Sequence, residues 1–219
     1  MLEILRTVTP SPEQWEIIIE GARNPMESWG KSDSSIEWVV NEQTGNMAAW
    51  QFHMGDADHD LLMRLAKAGT DHGKYLRQAP VWVTLTAPLY WWKEMDAYKV
   101  GTVRNSCSTM HKIHSRPLTM DDFSVESLTA IELQAFDSYL RIMEANRKMY
   151  LSLDGTEAKV AWERMIQLLP SSYNQRSTMK LNYAVLRNIY HSRKNHKLTE
   201  WHTFCRWIET LPYSDLITG

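Results

Sequence analysis

A chain of 219 residues with 43% apolar and 23% charged side chains can bury a core without disulfides or a structural metal, and is neither disordered, collagen-like nor a coiled coil. Twenty-four basic against 26 acidic side chains give a net charge of −2, so no global field draws the chain to nucleic acid or to a membrane surface. No apolar run of about 18 residues is present to span a bilayer, the start Met-Leu-Glu-Ile-Leu-Arg is no secretory leader, and Cys107 and Cys205 read as two free thiols of a reducing cytoplasm.

Leu2 to Val8 reads as a short strand. Ser11-Pro12-Glu13-Gln14 supplies an N-cap, a proline at the first helical position and a glutamine three residues after the cap, which predicts a helix to about Ala22. Residues 24–35 are a polar loop. Alternation of Ile36, Trp38 and Val40, then a turn at Thr44-Gly45-Asn46, predicts a hairpin returning through Met47 to Phe52. A helix over Asp60–Ala68 carries Leu61, Leu62, Leu65 and Ala68 on one face and stops at Gly69. Val81–Thr86 is a strand bounded by Pro80 and Pro88. Residues 89–97 read as helical and Lys99–Val103 as extended. After a loop through Pro117, a long amphipathic helix runs from Ser124 to about Leu153, followed by helices over Gly155–Leu168, Ser177–Lys194 and Thr199–Thr210. The expectation is a single α+β domain over residues 1–219, with strands mainly before residue 105 and helices after.

Nine glycines are spaced so that no G-x-G-x-x-G, no G-x-x-x-x-G-K-[ST] and no G-x-S-x-G can be written. A Rossmann phosphate turn, a P-loop and a nucleophile elbow are therefore excluded, and any nucleotide must be held by side chains and other backbone. Ten tryptophans against four phenylalanines supply flat amphipathic rings for a core or for stacking; Trp91 and Trp92, next to a polar segment, are the ligand candidates.

Residues 176–206 carry seven basic side chains, Arg176, Lys180, Arg187, Arg193, Lys194, Lys197 and Arg206, against Glu200 alone. Such a run is either a solvated face or a set of guanidinium forks for a small anion, sized for a phosphate ligand better than for a nucleic-acid backbone. Asn182 and Arg193 lie almost three helical turns apart, about 16 Å, with Leu186 and Ile189 or Tyr190 between them. That strip is either a seat for a long planar ligand or core with polar ends. The other dense polar segment is Asp96 to His111, either a ligand loop or a turn bonding its own backbone. Cys107, His111 and His114 lack a fourth ligand and match no zinc spacing, so no metal is expected. No side chain declares itself a catalytic nucleophile.

Taken in order, Ala68-Gly69-Thr70-Asp71-His72, Val81-Trp82-Val83-Thr84-Leu85, Tyr98-Lys99 with Thr102, Asn105, Ser108 and Met110, Leu169-Pro170, Asn182, Arg193, His196 and Glu200-Trp201 span most of the chain. In this order and spacing the sequence resembles the flavin-dependent thymidylate synthases. The resemblance implies that His72 lies near flavin and folate, that Tyr98 and Lys99 stand for the His-Arg of the family signature that meets the flavin, and that Asn182 contacts the flavin. Asn105 and His196 join that cofactor set. Glu94, Thr102, Ser106, Ser108, Arg164 and Arg193 are the implied nucleotide-binding residues. The signature's first arginine falls on Ala97 and its last on Met110, and Ser106 takes the place of an acidic residue; Lys99, Arg104 and Lys112 are the nearby cations.

The resemblance further implies FAD as cofactor, with NADPH and methylenetetrahydrofolate as co-substrates, and transfer of a one-carbon unit to C5 of a pyrimidine deoxynucleotide such as dUMP. In that chemistry the protein supplies no nucleophile; it positions and polarises the pyrimidine. A cytoplasmic homotetramer with no membrane or nucleic-acid partner is implied as well. The alternative, motivated by the altered signature, is a non-catalytic nucleotide-binding descendant of the same fold.

Overall fold

The computed structural model describes residues 1–40 and 48–219, so the turn expected at Thr44-Gly45-Asn46 lies outside the described residues. Six strands are described: β1 (Glu3–Val8), β2 (Ser35–Val40), β3 (Ala48–His53), β4 (Pro80–Pro88), β5 (Val103–Ser106) and β6 (Asn174–Asn182). The α-helices are α1 (Pro12–Arg23), α2 (Asp56–Lys67), α3 (Leu89–Met95), α4 (Thr109–Lys112), α5 (Ala130–Ser152), α6 (Gly155–Leu168), α7 (Tyr183–Arg193), α8 (Thr199–Glu209) and α9 (Asp215–Thr218). One sheet has the order β1-β4-β6-β5, and β2 pairs antiparallel with β3, with Trp38 opposite Trp50. The mixed helix-and-sheet expectation holds. No described helix is long and apolar enough to cross a membrane.

The chain forms two compact units: Met1–Leu5, Thr84–Ala97 and Arg104–Thr178 make the first, and Arg6–Val83, Tyr98–Val103 and Met179–Gly219 the second. In the first, α5 and α6 close on Ile113, Met143 and Met165, with Tyr139, Tyr150 and Trp162 packed around them. Trp91 and Trp92 are fully buried there, and the Trp92 indole N–H donates to the Gln175 carbonyl at 2.9 Å. The two rings are therefore core, which corrects their reading as lining for a ligand pocket. In the second unit Trp15 is the hub: its ring stacks on Phe52 and meets Tyr183 and Tyr213 edge-on. Leu186 and Ile189 of α7 are fully buried, so the apolar strip between Asn182 and Arg193 is core with polar ends.

Local signals set several boundaries. Helix α1 begins with the full capping box, Ser11 accepting from the Gln14 N–H and Gln14 accepting from the Ser11 N–H. Three expectations are corrected. Residues 177–182, expected in a helix, belong to β6, whose buried positions are Gln175, Ser177, Met179 and Leu181, alternating with Arg176, Thr178 and Lys180. Half of that inward row is polar, so the period-2 signal is weak. The long helix starts at Ala130, six residues later than expected, because Thr129 and Glu132 form its capping box while the Ser124 N–H is taken by the Ser172 carbonyl. Lys99 to Thr102 is a turn and not a strand, closed by the Thr102 N–H on the Lys99 carbonyl.

Candidate functional site

The second unit holds seven of the residues singled out by sequence: His72, Tyr98, Lys99, Thr102, Asn182, Arg193 and His196. Asn182 ends β6 and caps α7, its Oδ1 accepting from the Val185 N–H at 3.0 Å. With that oxygen spent on the helix, the Asn182 amide offers donors through Nδ2. Gly101, at φ +80°, lies against this cap: a Cβ there would come within 3.0 Å of a Val185 methyl and 3.1 Å of Asn182 Nδ2. Glycine satisfies both the left-handed backbone and the close approach. The turn Tyr98–Val103 thus rests on the first turn of α7, and the Thr102 hydroxyl is buried in it with no hydrogen-bond partner among the described residues.

At the far end of α7, the Arg193 Nε donates to the Tyr98 hydroxyl at 2.8 Å. Its guanidinium carbon lies 5.6 Å from the centre of the Tyr98 ring and 4.8 Å from that of Trp201, and these two rings meet edge-on. The His196 ring also approaches Trp201, and its Nδ1 accepts from the Leu198 N–H at 3.2 Å. Lys99 is exposed beside the turn. His72 is exposed ahead of the short helical turn Gly73–Arg77, and no hydrogen bond or ring contact among the described residues joins it to Arg193. Trp201 is the member of this cluster that the sequence did not single out as a site candidate; its distance from Tyr98 along the chain leaves no local signal.

The remaining candidates lie in the first unit. Glu94 is half-buried on α3, and Asn105 and Ser106 are exposed on β5, an edge strand. Ser108 caps α4 by accepting from the His111 N–H at 3.1 Å, and Arg164 is exposed on α6. Arg104, a nearby cation by sequence, is committed to structure: it stacks over Trp92 at 4.5 Å and donates to Asp96 at 3.2 Å and to Gln175 at 3.5 Å.

The basic run at residues 176–206 is not one patch. Arg176 and Lys180 point outward from β6, Lys180 over the Trp82 ring, while Arg187 donates to the carbonyls of Leu216 and Ile217. Only Arg193 of the run joins the Tyr98 turn. Along α7 the donors run from Asn182 Nδ2 and the unpartnered Thr102 hydroxyl at its start to Arg193 at its end, with Lys99 in the turn between, a set that suits a long electron-rich ligand bearing phosphate or carbonyl oxygens. Among the described residues no group of three His, Cys, Asp or Glu side chains is placed to hold a metal.

A four-stranded sheet together with α-helices is a mixed α and β fold, and known structures share it over nearly the whole chain. Thymidylate synthase X from Helicobacter pylori, solved with FAD and dUMP, superposes with a TM-score of 0.64 at 14% identity, over 99% of this chain and 95% of that one. A second structure, of flavin-dependent thymidylate synthase ThyX from Helicobacter pylori complexed with FAD and dUMP, gives a TM-score of 0.62 at 14% identity, over 99% and 97%. No family model matches the sequence, and no curated protein matches it. The chain has the fold of the flavin-dependent thymidylate synthases.

Proposed function

We propose that this protein binds FAD and a pyrimidine deoxynucleotide and is a divergent, thymidylate synthase-like enzyme that transfers a one-carbon unit to C5 of dUMP or a related nucleotide. The observation that carries this is the Tyr98–Arg193–Trp201 cluster at one end of α7, with the Asn182 cap at the other, in a chain that follows FAD- and dUMP-bound thymidylate synthase X along nearly its full length. The donor set described above fits both ligands. Arg193, a planar cation packed on the Tyr98 and Trp201 rings, is the residue of this proposal for phosphate or pyrimidine oxygens. Lys99 adds a mobile positive charge, and Thr102 and Asn182 supply directional donors that hold the ring in place. His72, Asn105 and His196 complete the flavin set, and Glu94, Ser106, Ser108 and Arg164 the nucleotide set, of the same proposal. FAD, when bound, supplies hydride chemistry; the protein's part is positioning and the exclusion of water.

The same reading carries NADPH and methylenetetrahydrofolate as co-substrates, a cytoplasmic location and a homotetramer, for which the exposed Trp38–Trp50 pair offers apolar contact surface. The test is the visible spectrum of freshly purified protein and of apoprotein mixed with FAD. Absorbance near 450 nm that co-elutes with protein is expected, and colourless protein that takes up no FAD would overturn the reading. One observation favours the second reading, a non-catalytic nucleotide-binding protein: Arg104 is tied to Asp96, Gln175 and Trp92 and does not replace the guanidiniums absent at Ala97 and Met110. Nucleotide binding without turnover in the presence of FAD, NADPH and methylenetetrahydrofolate selects it.

A further inference from the structure

A cavity of about 390 Å³ opens in the second unit between α1 and the segment from Trp29 to Ser34, away from every residue used above. Ile19 and Arg23 form its buried wall, Glu16 and Glu20 stand exposed on the α1 side, and Trp29 and Ser32 line the other. The Arg23 side chain is only 5% exposed. Its Nε donates to Asp58 Oδ1 at 2.6 Å and its Nη1 to the Ser28 carbonyl at 3.3 Å, while Nη2 is buried with no hydrogen-bond partner. Asp58 cannot serve Nη2 as well. Its Oδ2 already accepts from the Ser32 and Ser34 hydroxyls and from the Asp33 and Ser34 backbone N–H groups.

A buried guanidinium nitrogen requires an acceptor, and the cavity that Arg23 lines is where one can be supplied. Charge narrows the donor of that oxygen. Arg23 and Asp58 neutralise each other, so Glu16 and Glu20, one helical turn apart, leave the cavity negative. Its complement carries an ammonium group for the glutamates, a carbonyl or carboxylate oxygen for Arg23, and an apolar part to lie on the half-exposed Trp29 ring. We infer that this cavity is a second ligand site, for a small primary amine bearing an acyl oxygen: an amino acid, its amide, or the N-terminus of a peptide. The site is independent of the FAD and nucleotide reading.

The test follows the Trp29 indole N–H signal by NMR in the full chain. That proton is donated to Asn24 Oδ1 at 2.8 Å, and its signal is assigned by its loss in Trp29→Phe. L-phenylalaninamide is titrated in, with the peptide Phe-Gly-Gly as a second arm and N-acetyl-L-phenylalaninamide as the comparison that lacks the ammonium. A saturable Trp29 shift with L-phenylalaninamide is expected, at least tenfold weaker for the acetylated compound. The double variant Glu16→Gln, Glu20→Gln should bind at least tenfold more weakly, with an unchanged thermal melt showing that it folds. An equal response to Phe-Gly-Gly assigns the site to peptide N-termini, and its absence assigns it to free amino compounds. Absence of a saturable shift with both L-phenylalaninamide and Phe-Gly-Gly, equal binding of the acetylated compound, or undiminished binding by the double variant overturns the inference.

Discussion

Two arginines of the second unit are held in opposite ways. Arg23 is buried against a carboxylate, and that carboxylate, Asp58, also gathers Ser32, Asp33 and Ser34. In return the Asp33 side chain accepts the N–H groups of Ala57 and Asp58 at the start of α2, and Gly55 is required beside it because a Cβ there would lie 2.2 Å from the Asp33 carboxyl carbon. Arg193 is instead held by a phenol and two aromatic faces. A carboxylate takes the hydrogen-bonding edge of a guanidinium, whereas rings take its faces. The first arrangement fixes a loop; the second sets a planar cation among aromatic rings. Stability and binding should therefore separate between them.

The largest effect is expected at Asp58. Replacing it with asparagine leaves the Arg23 charge buried and uncompensated, a loss of about 3–5 kcal/mol in urea unfolding. Burial by itself pushes the Asp58 carboxyl up, but the hydrogen bonds from Ser34, Ser32, Arg23 and the Asp33 N–H outweigh it and hold the carboxyl below its ordinary value. A depressed carboxyl contributes stability that is complete above the unfolded-state pKa and is lost as pH falls through the folded one. The wild type should thus lose stability below about pH 4, and D58N should show a flatter acid limb in the same window.

Arg193→Ala should do the reverse. Affinity for dUMP by calorimetry should fall at least tenfold, about 1.4 kcal/mol, while unfolding changes by about 1 kcal/mol or less; Arg193→Lys should recover only part of the binding. A melt as damaged as that of D58N would break the contrast between the two arginines. Asn182→Ala removes a helix cap and should cost about 1 kcal/mol, with Asn182→Ser restoring stability and leaving ligand affinity low. Thr102→Val deletes a buried hydroxyl that has no partner, so stability should stay level or rise by up to about 1 kcal/mol while nucleotide binding weakens. The smallest effect concerns the thiols. Burial, then Glu209, pushes the Cys205 thiol up to about 11, whereas Cys107 is exposed. A thiol reagent should therefore label one cysteine of the native protein quickly at pH 8, and Cys107→Ser should abolish that fast phase.

Legibility from sequence followed the range of the interaction. Asn182, Arg193, Tyr98, Lys99, Thr102 and His196 were all visible as polar residues at telling positions, and the structure gathers them in one unit. Glu94, Asn105, Ser106, Ser108 and Arg164, singled out with them, lie in the other. Composition did not reveal that Trp201 would meet Tyr98, that Arg104 would be absorbed by Trp92 and Asp96, or that the adjacent Trp91 and Trp92 would both be core.

What the amino-acid order determined alone was local: the capping box of α1, the span Gly155–Leu168 of α6, the missing phosphate-binding glycine motifs and the near-zero net charge. These rest on contacts within about four residues, which a linear pattern records. The strand identity of β6, the Asp58 anchor and the aromatic seat of Arg193 were decided only by tertiary structure. In each, the deciding partner is far away in the chain or the buried face is polar: Gln175 and Ser177 face inward on β6, Asp58 meets Arg23 across 35 residues, and Arg193 meets Tyr98 across 95. Only the folded chain brings those groups together and removes the water that would otherwise solvate them.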